Sequence, residues 1–227
     1  LNEPEMTEYL QRIGHRRDEL DRLNVIHITG TKGKGSTAAF CDALLQKARP
    51  PGAGKIGLYT SPHMVAARER IRIDGVPISE ADFAKFFWEV WDRLEQNPHR
   101  ALETTPLRPV YFRFMTILAF HVFISLEVSA TLLEVGIGGM YDSTNIVQHP
   151  VVTGVTALGL DHTAILGHTL EEVAWQKAGI FKPGVPALSV EQPENAQAVL
   201  QKYAKQVQAS SFQVVPVNRD LLHVKLG

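Results

Sequence analysis

The chain has 227 residues, 44% hydrophobic and 21% charged, which is ordinary for a soluble globular protein and excludes disorder, collagen and disulfide scaffolds. Its 23 Lys+Arg against 24 Asp+Glu leave a net charge of −1, so no global field draws it to nucleic acid or anionic lipid. One large domain, or one with a short appendage, is expected from the length.

The opening "LNEPEMTEYLQRIGHRRDEL" reads as a short helical segment, with no initiator Met and no apolar signal core. "NVIHIT" (24 to 29) is short and β-branched, as a strand is, and runs into a glycine loop, Gly30-Thr31-Lys32-Gly33-Lys34-Gly35-Ser36. A helix at 36 to 48 follows, with the single cysteine, Cys41, expected to pack in its core face; one cysteine makes no internal disulfide and fits a reducing compartment. "KIGLYT" (55 to 60) is a second strand. "RERIRIDGVPIS" (68 to 79) alternates around Asp74-Gly75 as a hairpin expected outside the main sheet.

A helix at 79 to 96 begins with a Ser79/Asp82 capping pair and has Phe83, Phe86, Phe87, Trp88 and Trp91 on its apolar face. A surface loop (96 to 110) leads to "VYFRFMTILAFHVFISL" (110 to 126), which contains Arg113 and His121 and is too short to span a bilayer, so it predicts a buried helix at 111 to 127. Strands are expected at 130 to 136, 151 to 158, 185 to 190 and 212 to 217, with helices at 169 to 178, capped by Thr169 and Glu172, and at 194 to 208. Strands alternating with helices predict an α/β fold, a mostly parallel sheet with helices on both faces.

In such a sheet ligands gather at the carboxyl ends of the strands. Four ends hold polar groups here: the glycine loop, Thr60-Ser61-Pro62-His63, Glu134 beside "GIGG", and Asp161-His162. Glycines let backbone N–H groups approach phosphate oxygens, the next helix adds its positive end, and Lys34 adds a charge. One carboxylate and a hydroxyl suffice for magnesium, which completes its shell with water and phosphate. Each residue also has a plainer reading. The loop departs from G-x-x-x-x-G-K-[ST], with Ile28 and Gly35 at the failing positions, and could be only a turn. Ser61 suits a turn before proline. Glu134 is costly to bury without a partner. His162 alone reads as a turn or core histidine, or else as a base or phosphate contact. Lys177 is by default a solvated helical lysine. His15, His27, His99, His121, His149, His168 and His223 show no ligand spacing and are read as structural.

"GTKGKGST", "TSPH" followed by "RERIRIDG", "YFRF", "EVGIGGMYDSTN", "GLDHTAILGHT" and "WQKAGIFKPGVPA" together resemble folylpolyglutamate synthase, of the eukaryotic kind, within the Mur ligase superfamily. The match runs from about residue 6 to 217 with every motif in order. The resemblance implies a P-loop type central domain and an ATP-dependent ligase that adds L-glutamate by γ-linkage to reduced folates through an acyl phosphate. It implies that Gly30 to Ser36 hold the ATP phosphates, with Lys34 stabilising charge on the moving phosphoryl group. Ser61, Glu134 and His162 fall on the family's magnesium ligands, and Lys177 on a lysine that is carbamylated in several relatives, where it helps a second magnesium. His162 and Lys177 are thereby candidate catalytic groups beside Lys34.

Thr60, Pro62, His63 and Arg68, with Phe112, Arg113 and Phe114 of "YFRF", fall on regions that face the folate. The implied cofactors are ATP, magnesium in one or two copies, and a monovalent cation such as K+. The implied partners are reduced folate, L-glutamate and ATP, with no nucleic acid, no membrane span and a monomeric state, in the cytoplasm or a mitochondrion. Bacterial members often have "GGRxDATN" where this chain has "GGMYDSTN", which argues against a bifunctional dihydrofolate synthase. The expected organisation is a single ATP-binding domain over 1–227 without the family's C-terminal glutamate-binding domain, hence weak nucleotide binding and little turnover by this chain alone. Dihydrofolate synthase or another Mur-type ligase, and a catalytically silent nucleotide- or folate-binding module, are the competing readings; a GTPase is disfavoured because no guanine-reading N-K-x-D is present.

Overall fold

A computed structural model describes residues 2–216; Val217, His223 and the closing "LLHVKLG" lie outside the described residues. The strands are β1 (Val25–Thr29), β2 (Ile56–Tyr59), β3 (Ile71–Ile73), β4 (Val76–Pro77), β5 (Ala130–Glu134), β6 (Val152–Val155), β7 (Pro186–Val190) and β8 (Ser211–Val215). The helices are α1 (Asn2–Arg12), α2 (Lys34–Ala48), α3 (Glu80–Gln96), α4 (Tyr111–Ser125), α5 (Thr163–Leu166), α6 (Leu170–Ala178) and α7 (Glu194–Gln206), with 3-10 turns at Arg17–Leu23, Ala67–Arg70 and Ser143–Ile146.

All eight strands form one sheet in the order β4-β3-β2-β5-β1-β6-β7-β8. From β2 to β8 every pairing is parallel. Consecutive residues of a strand point to opposite faces, and both faces are apolar here, as a doubly covered parallel sheet requires. Leu58 and Leu132 pack with Ile28 and Ala38 of α2, whereas their neighbours Tyr59 and Leu133 join the larger core built on α4. A third cluster on Val155, Ala187 and Leu200 holds α6 and α7. Helix α4 is buried almost all round from Phe114 to Phe123, and no described helix is long and apolar enough to cross a membrane.

The hairpin differs from expectation in one respect. Asp74 (φ 50) and Gly75 (φ 80) make the expected tight turn, yet β3 pairs antiparallel with β2 and extends the main sheet at its edge. Asp74 explains why: its carboxylate accepts from the Ile56 N–H (3.0 Å) and pairs with Arg49 (2.5 Å), tying the turn to the start of β2. Cys41 packs half-buried beside the α2 cluster. The aromatic face of α3 is buried at Phe86, but Trp88 is exposed.

Candidate functional site

The sheet order makes β2, β5, β1 and β6 neighbours, so the four polar strand ends lie side by side. At the end of β1 the loop is clamped. The N–H groups of Thr31 and Lys32 both donate to the Ala157 carbonyl (3.0 Å each), and Thr156 Oγ1 donates to Lys32 O (2.8 Å). Gly30 lies so close to Thr156 that a Cβ there would stand 1.8 Å from Thr156 Oγ1. Gly33, at φ 87, turns the chain into α2, whose first turn has no side-chain cap. Those N–H groups, and the positive end of a 15-residue helix, are left for an anion. Lys32, Gly33 and Ser36 are exposed.

At the end of β5, Glu134 is 3% exposed and accepts from the Ser61 N–H (3.0 Å). Burial pushes its pKa up, while that hydrogen bond and then Lys34 and Arg70 oppose the shift. Gly35 faces it without a side chain: a Cβ there would lie 3.5 Å from both carboxylate oxygens. An absent side chain on one side, a buried carboxylate on the other and the Ser61 segment between them make a cradle of oxygen donors that suits magnesium. Among the described residues no three His, Cys, Asp or Glu side chains could hold an ion by themselves; the expected set depends on the Ser61 hydroxyl and on Lys177.

Lys177 is not solvated. It is 3% exposed, and its Nζ donates to the Gly30 carbonyl at 2.9 Å, the same oxygen that Lys34 Nζ reaches at 3.1 Å. Two bonds to one oxygen keep these ammonium groups within about 6 Å of each other. Burial, then the Lys34 charge, lowers Lys177 to about 8, with Asp161 and Asp142 opposing.

Beside these ends opens a mostly apolar cavity of about 640 Å³, lined among others by Ser61, Pro62, Phe112, Arg113 and His162. Arg113 also pairs with Glu5 of α1. His162 is exposed, in a left-handed conformation (φ 49) at the start of α5. The other folate-facing candidates do not line the cavity. Phe114 is buried in the core against Phe87 and Trp91. Arg68 turns away to donate to the Ile78 carbonyl (3.1 Å), Thr60 N–H is taken by the Arg70 carbonyl (3.0 Å), and His63 Nδ1 accepts from Arg70 Nε (3.0 Å).

Two residues were missed. Arg70, two positions after Arg68, is 7% exposed, lines the cavity and lies over the Tyr111 ring. Asp142, inside "GGMYDSTN", accepts from Thr144 N–H and Oγ1 and from Ile137 N–H, and so ties down the "GIGG" turn. Its acidic character within that motif was the available signal.

No family model matches the chain. Among curated proteins, folylpolyglutamate synthase of Saccharomyces cerevisiae (strain YJM789) is 49% identical over 229 aligned residues, covering 98% of this chain and 41% of that protein. Among solved structures, the apo form of L. casei FPGS superposes with a TM-score of 0.82 at 32% identity, over 96% of this chain and 50% of that one. An FPGS complex with AMPPCP and folate gives 0.75 at 32% identity, over 96% and 51%. This chain therefore spans about half the length of the proteins it matches. In sequence and in fold, over almost its whole length, the chain is similar to the folylpolyglutamate synthases.

Proposed function

We propose that this chain forms the nucleotide-binding half of a ligase that adds L-glutamate by γ-linkage to reduced folates, with ATP forming an acyl phosphate on the acceptor carboxylate. The observation that carries the reading is the convergence of the Gly30–Ser36 loop, the Ser61–Glu134 contact and two lysines on adjacent strand ends beside an apolar cavity. Complexes of relatives with AMPPCP, alone and with folate, support it.

In this reading the first-turn N–H groups of α2 and Lys34 hold the ATP phosphates and stabilise the charge spread over the transferring group. Lys34 would exchange its ligand-free bond to Gly30 O for a phosphate oxygen. Ser61 and Glu134, with His162, would hold magnesium, which neutralises phosphate charge when bound. Pro62 and Phe112 supply apolar walls for the acceptor, and Arg113 and Arg70 a positive flank for its carboxylates. Lys177, lowered to about 8, is in small part neutral at pH 7, and the neutral amine is the form that adds carbon dioxide. A carbamate there, formed with release of one proton, would turn repulsion from Lys34 into attraction and provide oxygens for a second magnesium. A monovalent cation is a further proposed cofactor.

The test is incubation with ATP, magnesium, labelled glutamate and either tetrahydrofolate or dihydropteroate, with and without the remaining half of a folylpolyglutamate synthase. Labelled tetrahydrofolate product that depends on the added half, together with ADP, is expected. Product from dihydropteroate alone would favour a dihydrofolate synthase, and bound nucleotide without product in any mixture a silent binding module.

A further inference from the structure

Two histidines far from the strand ends form a buried relay that the ligase reading does not use. Glu19 Oε2 lies 3.3 Å from His15 Nδ1, His15 Nε2 lies 2.8 Å from His121 Nδ1, and His121 Nε2 lies 2.9 Å from Glu89 Oε2. The side chain of His15 is 11% exposed and that of His121 is 1%. The relay joins the segment after α1 to α4 and α3.

The protons can be counted. An ionised carboxylate only accepts, so each outer contact takes one ring N–H; the central contact takes one N–H facing one lone pair. Three contacts need three ring protons, whereas two neutral imidazoles hold two. We propose that His15 and His121 together retain one extra proton, a single imidazolium shared across their mutual hydrogen bond, and that this charge braces the N-terminal segment against α3 and α4.

A fourth proton would set two N–H groups against each other at 2.8 Å. Burial lowers both rings, with Glu19 and Glu89 opposing, and the nearby Arg93 adds to the lowering; the shared proton is held against that cost by the two carboxylate contacts and the central hydrogen bond. Lys85 is a further charged neighbour, 4.0 Å from the other oxygen of Glu89, while the edge contact with Phe86 is apolar. His121 lies on the same helix as Phe112 and Arg113, which line the cavity.

The signs follow from linkage. Below about pH 6.5 the unfolded chain binds two protons on these residues and the folded chain one, so the unfolding constant rises tenfold per pH unit of acidification. Between about pH 6.5 and the pH at which the folded pair releases its proton, the folded chain binds one more than the unfolded, so the constant also rises toward alkaline pH across that window, with the same limiting slope, and levels off above it. Histidine ring 15N NMR of the whole chain at neutral pH is expected to count three ring protons on this pair. His15→Gln, whose amide can donate to His121 without a charge, is expected to keep the acid limb of the urea-unfolding profile and lose the alkaline one. Two ring protons at neutral pH, or an alkaline limb unchanged in His15→Gln, would overturn the proposal; should the variant not fold, the proton count on the unaltered chain decides.

Discussion

Lys177 shows how a residue can oppose stability and still belong to the site. Its pKa falls from the ordinary 10.5 to about 8 because burial and Lys34 penalise the charged form. The sign follows: the penalty is full below pH 8, relaxes between 8 and 10.5, and is gone above. The fall from 10.5 to about 8 corresponds to roughly 3 kcal/mol. Lys177→Met is therefore expected to stabilise the ligand-free protein below pH 8 by up to about that amount. The variant should also lose the matching part of the rise in stability between pH 8 and 10.5, as urea unfolding across that range would measure. Lys182, also lowered to about 8 by burial, keeps its own share of the rise in both proteins. Gly30 makes the opposite case. Alanine there would drive a Cβ into Thr156 Oγ1, and Gly30→Ala should destabilise by about 2 kcal/mol, read as a lower urea midpoint, with weaker nucleotide binding.

Among the elements, much was legible because local chemistry decides them. The caps at Ser79 and Thr169 form as expected, with Ser79 Oγ accepting from the Asp82 N–H and Thr169 from the Glu172 N–H. Removing the second, Thr169→Ala, should cost about 1 kcal/mol, measurable as a lower urea midpoint. Direction around an element was less legible. Residues 112 and 114 on α4 are two helical steps apart and point to nearly opposite sides, so a tetrad that faces a cleft delivers Phe112 to the cavity and Phe114 to the core. Arg68 and Arg70 divide in the same way. The sheet pairing of the hairpin was hidden because it depends on Asp74 meeting Ile56 and Arg49 across 18 and 25 residues, which local alternation does not record.

For the whole molecule, the alternation of strands and helices predicted the parallel sheet, but not the order in which strands lie. That order, β2-β5-β1-β6 at the centre, turns four separate motifs into one site. It also hides the burial of Lys177, which comes from a contact spanning 147 residues. The placing of Ser61, Glu134 and the glycine loop was readable because polar residues at strand ends must face ligand or solvent. The role proposed for this edge is to bind ATP with magnesium through the loop and Glu134. Calorimetric titration with a non-hydrolysable ATP analogue, with and without magnesium, tests it most directly. Binding strengthened by magnesium in the unaltered chain, lost in Lys34→Ala and made insensitive to magnesium in Glu134→Gln, is the predicted result; binding that ignores both substitutions and the metal would contradict it.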